Sequence, residues 1–304
     1  MRIVVNGMQA FGKAVLDKLV ERGEEVIGVY GAEDKPGRRR DPINEAAEAL
    51  EIPLFQLKSF KTEEALDHIK SLNADLCVMA YVIKFVPSTF LNIPTHGSIQ
   101  YHPSLLPKHR GPSSINWPII QGSDKTGLSI FWPDDGLDTG PILLQKEVDI
   151  KADDTLGSIY FEKLFPLGVE AMMEAVDLVR DGKAPKIPQD ESNSTYESWC
   201  KAEDAEINWN QPVQEIFNLI RGANPQPGAW SNFNGKPIQI YDCEMSEESS
   251  GKPGDVIDLS NDSFTVGADD GSILVRRVRK EKDKMLANEF ISDVTLKVGD
   301  KFGS

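Results

Sequence analysis

Apolar and polar positions follow two different periods along the first half of the chain, and the switches between them separate strands from helices. RIVVNG (2–7) is an apolar run ending in Gly7, a strand entering a turn. GKAVLDKLVERG (12–23) then places Ala14, Val15, Leu16, Leu19 and Val20 at helical spacing and closes on Gly23. EVIGVYG (25–31) predicts a second strand. PINEAAEALEI (42–52) and TEEALDHIKSL (62–72) are helical, with Pro42 suited to a first turn and Thr62 to a cap. ADLCVMAY (74–81) is apolar almost throughout, as expected of a parallel strand covered on both faces. GSIQYH (97–102), GLSIFW (127–132) and GPILLQKEVDI (140–150) add strands, with SSINWPIIQG (113–122) as the helix between the first two. This β-α-β alternation predicts an α/β domain built on a doubly wound, mostly parallel sheet.

The pattern changes at DLVRDGKAPKIPQDESN (177–193), where Pro185, Pro188 and polar residues read as a linker-like stretch. One helix follows, PVQEIFNLIRG (212–222), and then short strand candidates: KPIQIYDCEM, GDVIDLS, SFTVGAD and GSILVRRVR. Short strands with Gly, Asp and Ser turns predict a small β-barrel or sandwich. Two domains are therefore expected: α/β over residues 1–190, and a smaller, mostly β, barrel-like (OB-like) domain over 204–304.

Composition narrows the class. At 304 residues, 40% hydrophobic and 27% charged, the chain can bury ample core. No apolar run approaches the roughly 18 residues of a membrane span, and MRIVVNGMQAFGKAVLDKL lacks a signal-peptide layout. Three widely spaced cysteines, Cys77, Cys200 and Cys243, show no metal-site pattern and fit reduced thiols in a cytoplasmic protein. A net charge of −15, from 48 acidic and 33 basic residues, weighs against nucleic acid as a partner. Two small basic clusters, GRRR (37–40) and VRRVRKEKDK (275–284), read as solvated faces.

Chemistry concentrates after two of the predicted strands. In an open parallel sheet, ligands sit outside the carboxyl ends of the strands. His102 ends GSIQYH there, on a loop stiffened by Pro103 and SLLP. WPDDGLDTG (132–140) follows GLSIF at the same edge with Asp134, Asp135, Asp138, Gly136 and Gly140. A D-D-G cluster alone is turn chemistry; beside an imidazole it makes a general acid/base pair. Gly7 and Gly12 do not form G-x-G-x-x-G, which disfavours nicotinamide chemistry. Ser104, Ser113 and Ser114 lack the G-x-S-x-G elbow of a serine hydrolase.

YHPSLLPKHRGPSSINWPIIQG (101–122) and GLSIFWPDDGLDTGPILLQKEVDI (127–150) together resemble the signature of the 10-formyltetrahydrofolate-dependent formyltransferase family. Tyr before His, HRG, INW and SIFW-x-DDGLDTG resemble the variant found in the N-terminal hydrolase domain of 10-formyltetrahydrofolate dehydrogenases. Weaker counterparts (FG, LFP-x-G, GKAP, TYE, INW-x-QP and the PGAW segment) extend the likeness along the chain. The resemblance implies 10-formyltetrahydrofolate as formyl donor, with neither metal nor NAD. It implies His102 as catalytic histidine and Asp138 as catalytic aspartate. It further implies a folate site at Lys84, Phe85 and Val86, which hold the pterin by backbone contacts, and at Asp134, Asp135, Gly136 and Asp138. Gln100 departs from the pattern. Formyltransferases carry Asn two residues before the histidine, and the hydrolase domain carries an apolar residue.

The groups suit the reaction. Attack on an N-formyl carbon creates a tetrahedral oxyanion, which protonated His102 can stabilise before protonating the departing nitrogen. Gln100 could supply a second donor, typically worth about 10²–10³ in rate. Asp138 can orient His102 and accept a proton from the attacking group. The acceptor stays open between water, a small amine such as an aminosugar nucleotide, and methionyl-tRNA; EDKPGRRR (33–40) resembles the basic loop of the last subgroup. A folate-binding sensor without turnover is the non-enzymatic alternative.

Overall fold

The computed structural model describes residues 1–247 and 251–303. They fall into two units: Met1–Pro112, Gly127–Val148 and Phe161–Glu197 in the first, and Ser113–Thr126, Asp149–Tyr160 and the chain from Ser198 onward in the second.

Seven strands form the sheet of the first unit: β1 (Arg2–Gly7), β2 (Glu25–Tyr30), β3 (Leu54–Phe55), β4 (Leu76–Ala80), β5 (Ser98–His102), β6 (Lys125–Phe131) and β7 (Ile142–Asp149). Their order is β3-β2-β1-β4-β5-β6-β7. The first five pair in parallel, and β6 runs antiparallel to β5. The helices of this unit are α1 (Gln9–Glu21), α2 (Pro42–Ala49), α3 (Glu63–Leu72), α4 (Ser88–Leu91) and α7 (Phe165–Arg180); α5 (Asn116–Ile120) and the single turn α6 (Leu156–Ser158) belong to the second unit. This is the doubly wound, mostly parallel sheet that the alternation predicts. The expected start signals hold: Thr62 Oγ1 accepts from the Ala65 N–H at 3.2 Å, and Pro42 opens α2 behind an Asp41 cap.

Side chains alternate across the sheet. On one face, Tyr101 packs against Phe11 of α1 with ring centroids 4.3 Å apart, and Phe11 meets Phe165 of α7. On the other, Val4, Tyr30, Cys77 and Met79 join Ile69 and Phe90 in one apolar cluster beneath α3 and α4. Register carries a row across that second face: Tyr30, Asn6, Met79, Gln100 and Phe131 lie side by side on neighbouring strands.

In the second unit, α8 (Val213–Gly222) precedes β8 (Ala229–Phe233), β9 (Lys236–Ile240), β10 (Cys243–Ser246), β11 (Val256–Leu259), β12 (Phe264–Gly267), β13 (Ser272–Val275), β14 (Arg277–Lys280) and β15 (Asp283–Leu286); α9 (Ala287–Val294) follows. The strands form two four-stranded sheets, β10-β13-β12-β11 and β15-β14-β9-β8, with antiparallel pairing. Phe233, Phe264, Phe290 and Phe302 meet in their core, Phe264 and Phe302 stacked with centroids 5.6 Å apart. The INW motif serves this unit: Asn116 Nδ2 donates to the Gly222 and Gln226 carbonyls, and Trp117 Nε1 to the Ser198 carbonyl. The helix α9 has no counterpart in the sequence reading, because eight residues with only Ala287 and Phe290 buried show too little periodicity.

Among the described residues, no helix is long and apolar enough to cross a membrane. Nor does any group of three or more His, Cys, Asp or Glu side chains stand together to hold a metal ion.

Candidate active site

His102 is the last residue of β5 and is 6% exposed. Its loop is braced from below: Ser129 Oγ donates to the Ser104 carbonyl at 2.7 Å and accepts the Leu106 N–H, while Gln145 Nε2 donates to the Leu106 carbonyl at 2.9 Å. The imidazole Nε2 lies 2.9 Å from the His109 carbonyl oxygen. A carbonyl can only accept, so Nε2 carries a proton in this arrangement and Nδ1 is the nitrogen left for chemistry.

Nδ1 faces Asp138 Oδ2 at 3.7 Å, and Asp138 is 7% exposed. The same carboxylate oxygen accepts the Gly111 N–H at 2.9 Å. At 3.7 Å neither group spends its hydrogen-bonding capacity on the other, so both remain open to a substrate. The Asp138 backbone is left-handed, at φ 57°, a conformation that persists only where its surroundings hold it. Two glycines permit the arrangement. Gly111 has φ +106°, and a Cβ there would meet the Glu197 carbonyl at 2.4 Å; a Cβ on Gly140 would meet the Trp132 carbonyl at 1.8 Å.

Gln100 and His102 are two residues apart on one strand and share a face. Among the described residues the Gln100 carboxamide has no hydrogen-bond partner. Two places along its row, Asn6 is 4% exposed with its Nδ2 unpartnered. Neither a strand pattern nor a motif singles out Asn6; only the register does.

The loop after β4 is tied to the aspartate loop. Asp135 accepts the Ser88 N–H at 2.8 Å and its hydroxyl at 2.7 Å, bonds that hold its carboxyl below the ordinary range. Asp134 Oδ1 is taken up within its own loop by the Gly136 N–H and the Thr139 hydroxyl. Tyr81, Ile83 and Phe85 stand exposed in alternation, while Val86 is buried in the apolar cluster. Lys61 Nζ sits 4.7 Å over the Phe85 ring, and Lys84 Nζ reaches back to the Leu57 carbonyl at 2.6 Å and to Glu33. The carboxylates of Asp134 and Asp135 and the ammonium of Lys84 are thus engaged in building the loops, while the Phe85 ring is half exposed.

The stretch read from sequence as a linker (177–193) and the TYE segment just after it run along the site. Ile187 pairs with Ile142, the Thr195 carbonyl accepts the Arg110 N–H at 3.0 Å, and the Thr195 hydroxyl accepts the His109 N–H at 2.8 Å. His109 Nδ1 stands 3.3 Å from Glu197, and burial pushes its imidazole below the ordinary histidine range. Gln189 and Glu191 carry no motif, and Thr195 and Glu197 lie in TYE, to which the sequence assigns no role; only the fold brings all four to the His102 loop.

Other chemistries are poorly served. The three cysteines are free, and burial pushes the Cys77 thiol up to about 12, Cys200 to about 11 and Cys243 to about 12, so none is a thiolate at neutral pH. The basic clusters are neutralised in part: Arg40 pairs with Asp34 and Glu48, Arg276 with Glu244 and Asp262, Arg277 with Asp242 and Lys280 with Asp293.

A family model described as formyl transferase matches residues 1–176, and one for the formyl transferase C-terminal domain matches residues 200–294. The chain belongs to the formyl transferase family. Mitochondrial 10-formyltetrahydrofolate dehydrogenase of Mus musculus is 41% identical over 307 residues, which cover 96% of this chain and 33% of that protein. The chain thus spans about a third of the length of the dehydrogenases it matches. Methionyl-tRNA formyltransferase of Geobacter sulfurreducens is 34% identical, covering 100% of this chain and 97% of that protein. Among solved structures, HypX from Aquifex aeolicus in complex with tetrahydrofolic acid superposes with a TM-score of 0.70 at 19% identity, covering 99% of this chain and 48% of that one. The sugar 3N-formyl transferase WlaRD gives a TM-score of 0.69 at 19% identity, covering 93% and 98%. At that identity these two establish the formyl transferase fold.

Proposed function

We propose that this chain removes the formyl group of 10-formyltetrahydrofolate at the His102–Asp138 pair and passes it to water, giving formate and tetrahydrofolate, or to a small amine. The observation that carries this reading is the pair itself: two buried groups whose working atoms face each other while each is anchored from behind, His102 by the His109 carbonyl and Asp138 by the Gly111 N–H. The donor's formyl carbon is the electrophile. A proton on Nδ1 of His102 stabilises the oxyanion formed on attack and then passes to the departing folate nitrogen. Asp138 takes the proton of the attacking water or amine. Gln100, on the same face as His102 with its amide unengaged, serves as second donor to the oxyanion.

The pterin end of the donor fits the loop of Lys84, Phe85 and Val86, whose exposed apolar side chains (Tyr81, Ile83 and Phe85) otherwise lie against water. Asp134, Asp135 and Gly136 contribute through the loop they stiffen. Water as acceptor is supported by likeness to the dehydrogenases over nearly the whole chain. A second reading, methionyl-tRNA as acceptor, is favoured by the match covering 97% of the Geobacter protein. The charge of −15 weighs against it. A cytoplasmic setting fits the three free thiols.

The deciding measurement is turnover of 10-formyltetrahydrofolate alone, then with aminosugar nucleotides, then with methionyl-tRNA. Release of formate and tetrahydrofolate without acceptor is expected. Binding of the donor with no turnover under any condition would leave only the sensor.

A further inference from the structure

We propose that Gln189 is a positioning residue for the His102–Asp138 pair, one carboxamide that locks together the two loops carrying it. The inference rests on the functional reading above and extends it to a residue outside both motifs.

The carboxamide of Gln189 uses all of its hydrogen-bonding capacity on these loops. Its Nε2 donates to the carbonyl oxygens of Asp138, at 2.8 Å, and Gly140, at 2.7 Å. Its Oε1 accepts from the Arg110 guanidinium at 2.8 Å and 3.3 Å. The orientation of the amide is fixed, since the reverse would set its oxygen against two carbonyls. Arg110 is 7% exposed and forms a bidentate pair with Glu191 at 2.7 and 2.9 Å.

Arg110 lies between the two backbone groups that touch the pair. The carbonyl before it, of His109, accepts from His102, and the N–H after it, of Gly111, donates to Asp138. Gln189 therefore closes a circuit from His102 through residues 109–111, across its own amide, to the backbone of Asp138. That backbone is left-handed at φ 57°, and Gln189 holds its carbonyl. Without the two donors the aspartate loop is free to relax, and a shift near 1 Å at a reacting group costs about 10²-fold in rate.

The test compares Gln189→Glu with Gln189→Leu in the full chain. Glutamate keeps the size and the attraction to Arg110 but turns both donors into acceptors facing carbonyls. Each variant should lower kcat by about 10–100-fold, with the KM for 10-formyltetrahydrofolate within about twofold and the melting temperature nearly unmoved. Hydrogen exchange at the Gly111 amide should accelerate, which reads the placement of the Asp138 carboxylate independently of turnover. In an Asp138→Ala background, Gln189→Glu should cost less than about twofold more, because Gln189 acts through that carboxylate. A further full loss there, or a fall in kcat only in step with a fall in melting temperature, would overturn the proposal in favour of a general structural role. Undiminished kcat in Gln189→Glu while Asp138→Ala is impaired would overturn it directly. Full activity in Asp138→Ala itself would instead remove the functional reading on which the proposal stands.

Discussion

Among the described residues each unit buries one arginine, and the two are held in opposite ways. Arg110, in the α/β unit, is gripped by the carboxylate of Glu191, which holds its guanidinium above the ordinary range, and its flanking peptide groups touch His102 and Asp138. Arg221, on α8, donates to Asn218 Oδ1 and to the carbonyl oxygens of Lys151 and Asp154; burial pushes it below the ordinary range. The first belongs to a polar network open to a ligand. The second fastens α8 to the Lys151–Asp154 turn within its own unit. Burial of charge thus marks a site only where the surrounding groups keep unspent hydrogen-bonding capacity, as His102 Nδ1 and the Gln100 amide do.

The largest effect that separates the two networks should come from the proposed reacting pair. His102→Ala and Asp138→Ala should each lower turnover by about 10²–10⁴, with donor affinity and melting temperature little changed. The double variant should be little worse than either, since the two act as a unit. Steady-state kinetics and thermal melts decide this, and full activity in either single variant would break the comparison.

Gln100 is the next lever. Gln100→Leu removes a donor needed mainly in the transition state, so turnover should fall by roughly 10² without loss of donor affinity. Gln100→Asn keeps the amide one methylene shorter and should stay active. Near-equal, near-full rates for both would show that His102 and Asp138 suffice.

The contrasting case is Arg221→Met, which removes the guanidinium from Asn218 Oδ1 and from the Lys151 and Asp154 carbonyls, although Gln214 still donates to Asn218 Oδ1 and the Asp154 N–H to the Lys151 carbonyl. It should cost about 1–3 kcal/mol of stability by denaturant titration, while kcat of the folded protein stays at the wild-type value. A large loss of kcat without destabilisation would erase the distinction between the two arginines.

The smallest effect is expected at the surface. Replacing Arg38, Arg39 and Arg40 together by Ala should leave donor cleavage almost unchanged, and turnover should depend only weakly on salt. A steep salt dependence that the triple variant abolishes would restore methionyl-tRNA as acceptor.

Much of the fold was legible because its signals are local. The period switches placed six of the seven sheet strands, and only the two-residue β3 was too short to show one. His102 was legible because a parallel strand sends its carboxyl end to the ligand edge; the aspartate loop follows β6, which runs antiparallel to β5, so it is the path of the loop rather than the strand end that brings Asp138 back to His102. The linker-like stretch misled for a physical reason. Pro185, Pro188 and their polar neighbours have no periodicity because they form almost no regular structure, yet their hydrogen bonds run to residues some fifty to eighty positions away. The resemblance implied a folate site at Asp134 and Asp135 and, through backbone contacts, at Lys84; the side chains of all three brace loops, which leaves the backbone at Lys84 available for that role. Charge near a site is visible in a sequence; which partner consumes it is a tertiary fact.

The left-handed backbone at Asp138 has an evolutionary consequence. Aspartate, asparagine and glycine are the residues that occupy such a conformation with least strain. A change to asparagine would therefore leave the loop, its Gln189 anchors and the neighbouring donor surface in place while removing the proton acceptor. One nucleotide substitution separates an aspartate codon from an asparagine codon. A descendant that retains the ligand and forgoes turnover is thus a near neighbour of this chain in sequence space.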